Sequence, residues 1–158
     1  MQLYVMRHGQ ASNSASSDAQ RQLTEQGFLE AKVMAKWAKE QKLCFDRVIV
    51  SPFIRAQQTA QAFIKELDQV VEMQTVSFIT PEGQANEVHD YIDGICQLEK
   101  LSSVLIVSHM PLVSYLVAEM TFEHNAPIFP TAGIAHIDYD LQRMKGDLKS
   151  FTSPYDLC

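Results

Sequence analysis

A chain of 158 residues, 46% hydrophobic and 20% charged, has the length and apolar content of one well-filled domain. Its formal net charge of −6 excludes the broadly basic face that nucleic acid or an anionic membrane demands. No run reaches the ~18 apolar residues of a membrane span, and "MQLYVM" lacks the cationic and small-residue features of a secretory signal, so a cytoplasmic protein is expected.

The first element is an apolar strand, "LYVM" (3–6), that ends abruptly in Arg7, His8 and Gly9. The Ser- and Asn-rich stretch after it, "QASNSASSDAQRQ", reads as a mobile surface loop. A helix follows in "LTEQGFLEAKVMAKWAKEQK", with Phe28, Ala31, Ala35 and Ala38 at helical spacing and Thr24 as its N-cap. "RVIVS" (47–51) is a second buried strand. It leads into a helix that presents Phe53, Ala56, Ala60, Phe63 and Leu67 on one face, with Ser51 as N-cap and Pro52 at the first helical position.

Strand character returns in "QTVSFI" (74–79), and residues 86–99 carry Val88, Ile92, Ile95 and Leu98 in helical register. "SVLIVS" (103–108) is the most apolar strand, and "PLVSYLVAEM" after it opens a helix at proline. "IAHIDYD" (134–140) alternates as a final strand at or near a sheet edge. Strands alternating with helices predict an α/β fold: a three-layer α/β/α sandwich on a mainly parallel sheet, with residues 1–158 forming a single domain. Cys44, Cys96 and Cys158 are scattered outside any paired spacing and are expected to be reduced thiols.

Three distant segments deliver unusual polar residues to one place. His8 lies just past the first strand, Arg55 in the first turn of the helix after the second, and His109 just past "SVLIVS". In open α/β sheets the carboxyl ends of the strands form the ligand rim. Taken singly, each residue has a simpler explanation: a histidine satisfied by backbone, an arginine in a surface pair, a helix-capping histidine. Their convergence outweighs those explanations. Two guanidinium forks and a helix N-terminus suit phosphate oxygens, and a histidine supplies a nucleophile. The set offers no carboxylate cluster for a hard cation and no third ligand for zinc, so neither metal nor cofactor is called for.

"RHG" after the first strand, "LTEQG" opening the first helix, "SPFIRAQQTA" after the second strand and "SHMP" after a later one resemble the histidine phosphatase superfamily, of phosphoglycerate-mutase-like fold. The short chain and the forms "MRHGQA" and "VLIVSHMPLVSYLV" resemble its small protein phosphohistidine phosphatases. The resemblance implies His8 as a nucleophile that is transiently phosphorylated, with Arg7, Arg55 and His109 holding the phosphoryl oxygens. A hydrogen bond from the other His8 nitrogen to a carbonyl near Gly9 would fix the attacking tautomer.

It also implies a phosphotransfer domain or phosphocarrier protein as partner; the acidic charge sets aside nucleic acid and membrane, and a monomer is expected. The general acid is not marked; Glu82 and Asp18 are its candidates. A chain this short lacks a covering insertion, so a shallow, open site is expected, suited to a labile P–N bond displayed on a protein. Competing readings are a phosphatase of small phosphoesters on the same fold and a non-catalytic phosphate-binding module. His89, His124 and His136 fall outside every motif and read as structural or solvated. Gln58 and Thr59 read as helix packing, and Ser51 as a cap alone.

Overall fold

The computed structural model describes residues 1–157; Cys158 lies outside the described residues. In chain order the elements are β1 (Gln2–Arg7), α1 (Glu25–Glu40), β2 (Arg47–Val50), α2 (Ile54–Leu67), β3 (Glu72–Thr75), α3 (Ala85–Leu98), β4 (Ser103–Ser108), α4 (Leu112–Met120), β5 (Ile134–Asp140) and β6 (Lys145–Thr152). Short 3-10 turns stand at Asp18–Gln20 and Pro154–Asp156. The strands form one sheet in the order β3-β2-β4-β1-β5-β6. β3, β2, β4 and β1 run parallel, while β5 and β6 are antiparallel additions beyond β1. No helix among the described residues is long and apolar enough to cross a membrane.

The apolar strands are buried on both faces, and their side chains divide with period two. Leu3, Val5, Ile49, Val104 and Ile106 face one core, which α3 and α4 close with Val88, Ile92, Leu112, Val113 and Leu116. Tyr4, Met6, Val48, Val50, Leu105 and Val107 face the other, closed by Met34, Ala35 and Ala38 of α1 and Ala56, Ala60 and Phe63 of α2. Each large aliphatic side chain buried this way contributes about 1.5–3 kcal/mol. The result is the three-layer sandwich that the alternating pattern predicts.

Local signals set most boundaries, and the exceptions have physical causes. Thr24 caps α1 as expected, its hydroxyl oxygen accepting from Gly27 N at 3.1 Å. The second helix begins at Ile54, so Phe53 and not Ser51 is its N-cap residue. The proline after Ser51 holds that residue extended, and its hydroxyl is used elsewhere. β3 covers Glu72–Thr75 where the sequence suggests 74–79. The last link to β2 is Val76 N to Val50 O, after which β2 has ended and the chain turns. Val76 and Ile79 are instead buried in the core as parts of a loop. β5 is not the final strand: β6 pairs with it and forms the edge. The charged sequence "KGDLK" hides that strand, and the same charges protect an exposed edge.

The loop after β1 and the first turn of α1 meet backbone to backbone. A Cβ on Gly27 would stand 2.1 Å from Gln10 O, and one on Gly9 would stand 2.6 Å from Gly27 O. Only residues without side chains allow this approach. Gly27→Ala is therefore expected to push the Gly9–Gln10 loop off the helix and cost about 1–3 kcal/mol, the usual range for overpacking. The midpoint of urea unfolding measures that loss.

Candidate active site

Strand register assembles the site. Arg7 pairs with Ser108 across β1 and β4, and Val50 pairs with Val107 across β2 and β4. Three neighbouring strands therefore end level, and the residues that follow them emerge side by side. The His8 and His109 rings lie 5.1 Å apart between centroids. Arg55, one residue into α2, reaches the same place, its Nε 3.3 Å from His8 Nε2.

The His8 ring is fixed at both nitrogens. Nδ1 lies 2.7 Å from Gly9 O, and a carbonyl can only accept, so Nδ1 carries the proton. Nε2 keeps its lone pair and accepts from Arg55 Nε–H. The bond from Nδ1 is the one expected of a nucleophile near Gly9. Burial, with further pressure from the Arg55 and Arg7 charges, lowers the His8 pKa from its ordinary 6.5 to about 4, against the opposing Gly9 hydrogen bond. Burial likewise holds His109 down to about 2, aided by His8 and Arg55. Both imidazoles are neutral at physiological pH.

The arginines are held by backbone as much as by charge. Arg7 Nη1 donates to Phe129 O at 2.7 Å, while Arg7 Nε is buried with no partner among the described residues. Arg55 donates through Nη1 to Asp18 O at 2.6 Å and through Nη2 to Asp18 Oδ2 at 3.2 Å. The Ser-rich loop is thus pinned over the site, and a second tie runs from Arg21 Nε to Ser12 O at 2.8 Å. Its sequence carries no apolar anchor and so reads as mobile; the ties are polar, from Arg21 within the loop and Arg55 outside it. His8, Arg55 and His109 are 7%, 3% and 1% exposed, so they form the buried floor of the rim.

Of the two candidate acids, Asp18 reaches the site, but hydrogen bonds from Arg21 and Arg55 hold its carboxyl below the usual range. A carboxylate held ionised is poorly suited to donating a proton. Glu82 is exposed in the turn before α3, beside Pro111 and Tyr115 on the wall of a cleft of about 470 Å³. Among the described residues, no three His, Cys, Asp or Glu side chains are grouped to hold a metal ion.

Two residues that read from the sequence as structural, Thr59 and Ser51, and a third that no motif marks, Glu30, serve the site. Thr59 Oγ1 accepts from Gly9 N at 3.0 Å and donates to Arg55 O at 2.7 Å, tying the loop after β1 to the turn that carries Arg55. Ser51 Oγ lies 2.7 Å from His109 Nε2. Glu30, 1% exposed on α1, accepts from Gln10 N at 2.8 Å and Thr131 Oγ1 at 2.9 Å, and also from the Tyr155 hydroxyl. A carboxylate within the buried stripe of α1, one residue before Ala31, was the available signal. Gln58, also read as packing, accepts from Leu23 N at 2.8 Å. His89 is structural as expected, bonded at 2.8 Å to the Tyr139 hydroxyl far along the sheet.

The family profile described as "Histidine phosphatase superfamily (branch 1)" matches residues 3–77. Phosphohistidine phosphatase SixA of Escherichia coli (strain K12) is 41% identical over 140 residues, covering 89% of this chain and 86% of the relative. A SixA homolog of Haemophilus influenzae is 40% identical, covering 89% of each chain. A solved structure of the protein histidine phosphatase SixA complexed with tungstate matches with a TM-score of 0.95 at 39% identity, covering 100% of both chains.

The two site histidines, both depressed, set a pH dependence. Between their folded values and the ordinary 6.5, the unfolded chain binds more protons than the folded one. Their contribution to stability is complete above pH 6.5 and declines as pH falls, through about 4 for His8 and toward about 2 for His109. Each can remove up to ~1.4 kcal/mol per pH unit across its window. Urea midpoints should therefore drop between pH 7 and pH 5, and His109→Gln should flatten that slope.

Proposed function

The chain belongs to the histidine phosphatase superfamily, and from that premise we propose that it removes phosphoryl groups from histidine side chains of proteins, with His8 as nucleophile. The observation that carries this reading is the state of the His8 ring: neutral, proton on Nδ1, lone pair on Nε2 beside Arg55. In the first step Nε2 attacks phosphorus in line as the P–N bond of the substrate breaks, and the departing ring, already protonated on its other nitrogen, keeps the electron pair and leaves as neutral imidazole. The transferring group takes the place of the Arg55–His8 hydrogen bond, which sets its oxygens against the guanidinium. Arg7, Arg55 and His109 hold those oxygens and stabilise their charge. Water then attacks the phosphorus on His8, releasing inorganic phosphate and restoring the free ring.

The leaving group explains the missing acid. An alkoxide needs a proton as it departs, whereas an imidazole leaves readily. Asp18, held ionised by Arg21 and Arg55, supports a substrate that makes little demand on an acid. As partner we propose a histidine-phosphorylated phosphotransfer domain or phosphocarrier protein, approached by a monomer. The single sheet supports reading residues 1–158 as one histidine phosphatase domain. Unpaired Cys44 and Cys96 suit a reducing, cytoplasmic setting.

Phosphate release without added metal tests the reading directly. A phosphohistidine-bearing carrier protein is expected to be hydrolysed with a kcat/KM at least about a hundredfold above any sugar phosphate, a gap of roughly 2.7 kcal/mol. His8→Ala serves as the blank and should show no turnover. Equal efficiency on a sugar phosphate would favour a small-phosphoester phosphatase on this fold.

A further inference from the structure

We infer that Ser51 is a positioning residue: its buried hydroxyl fixes the His109 tautomer so that the Nδ1–H is kept as a donor for the phosphoryl group. This rests on the proposed role of His109 in holding phosphoryl oxygens.

Ser51 is wholly buried at the end of β2, level with Ser108 and Arg7. Its Oγ accepts from Phe53 N at 3.2 Å and lies 2.7 Å from His109 Nε2. A hydroxyl has one proton to give. Its oxygen already accepts from Phe53, and among the described residues Nε2 is the partner left to receive that proton. With a proton on Nε2 the buried hydroxyl proton would be left without an acceptor, so Nε2 presents a lone pair. His109 is neutral, since burial and the neighbouring His8 and Arg55 hold its pKa down to about 2, so its single proton resides on Nδ1.

That Nδ1 is buried and has no partner among the described residues. Buried polar groups are very largely satisfied in folded proteins, and exceptions gather where a ligand completes them. This one belongs to a ring 5.1 Å from the His8 ring and edge-on to Phe53, 5.1 Å away. A preorganised N–H beside a nucleophile, held away from water, is the arrangement that stabilises developing oxyanion charge. The opposite tautomer would leave the Nδ1 lone pair facing the phosphoryl oxygens, a repulsive contact. Ser51 excludes that tautomer.

Nitrogen-15 NMR of the histidine rings at neutral pH reads the tautomer directly, without turnover. In the wild-type protein His109 is expected to show a protonated Nδ1 and an unprotonated Nε2. In Ser51→Ala the Nε2–H form should appear, and tungstate, as a phosphoryl stand-in, should bind at least about tenfold more weakly. His8 should keep its own tautomer in both proteins. Ser51→Thr, which retains a hydroxyl, should restore the wild-type ring. A proton on His109 Nε2 in the wild type overturns the inference, whether or not Ser51→Ala folds. So does a Ser51→Ala protein whose His109 tautomer and tungstate affinity are unchanged. Because neither readout uses catalysis, failure of the phosphatase reading would show separately, as an absence of phosphohistidine hydrolysis with the tautomers as described.

Discussion

Everything at the site depends on the parallel register of β1 against β4 and β4 against β2. The pairings Arg7–Ser108 and Val50–Val107 bring three strands to the same level, so that His8, His109 and Ser51 meet. The cores enforce that register. Each strand contributes apolar side chains to both faces, and a slip of one residue would exchange its two sets between cores of different shape. Leu3 and Val5 pack under α3 and α4, while Tyr4 and Met6 pack under α1 and α2. Hydrophobic packing thereby fixes a distance between two imidazoles that neither contributes to.

The chemistry follows from burying basic groups together and letting them respond differently. The imidazoles answer desolvation by staying neutral, which leaves His8 nucleophilic. The guanidiniums remain cationic and are instead supplied with oxygen partners: Phe129 O for Arg7, and the carbonyl and carboxylate of Asp18 for Arg55. An unpaired buried charge would be costly, so these oxygens keep the cations in place. A phosphoryl group offers the same kind of partner. The site thus combines neutral rings and retained cations within an acidic chain.

The sequence made the architecture legible where burial imposes a pattern. Runs such as "LYVM" and "SVLIVS" can only be two-faced strands, and a polar residue at their ends stands out against them. His8 and His109 stand out in that way, and Arg55 by its place in the first turn of the helix after another such run. What was hidden has a common cause: its meaning depends on contacts made across the fold. Ser51 before Pro52 looks like a cap, and its bond to His109 spans 58 residues of sequence. Glu30 reaches Thr131 over 101 residues. β6 is charged because it is an edge, and charge is what conceals a strand. Asp18 sits in a loop without apolar anchors, so its hold on Arg55 has no local signature.

The proposed mechanism passes the phosphoryl group through the Nε2 atom of His8. Rapid quenching of the protein with a phosphohistidine-bearing carrier, under alkaline conditions that preserve P–N bonds, followed by peptide mass spectrometry, tests it most directly. A transient phosphoryl group on His8, attached at Nε2, should form before inorganic phosphate accumulates and be absent in His8→Ala. A phosphoryl group trapped on another residue of an active protein, or full turnover by His8→Ala, would contradict it.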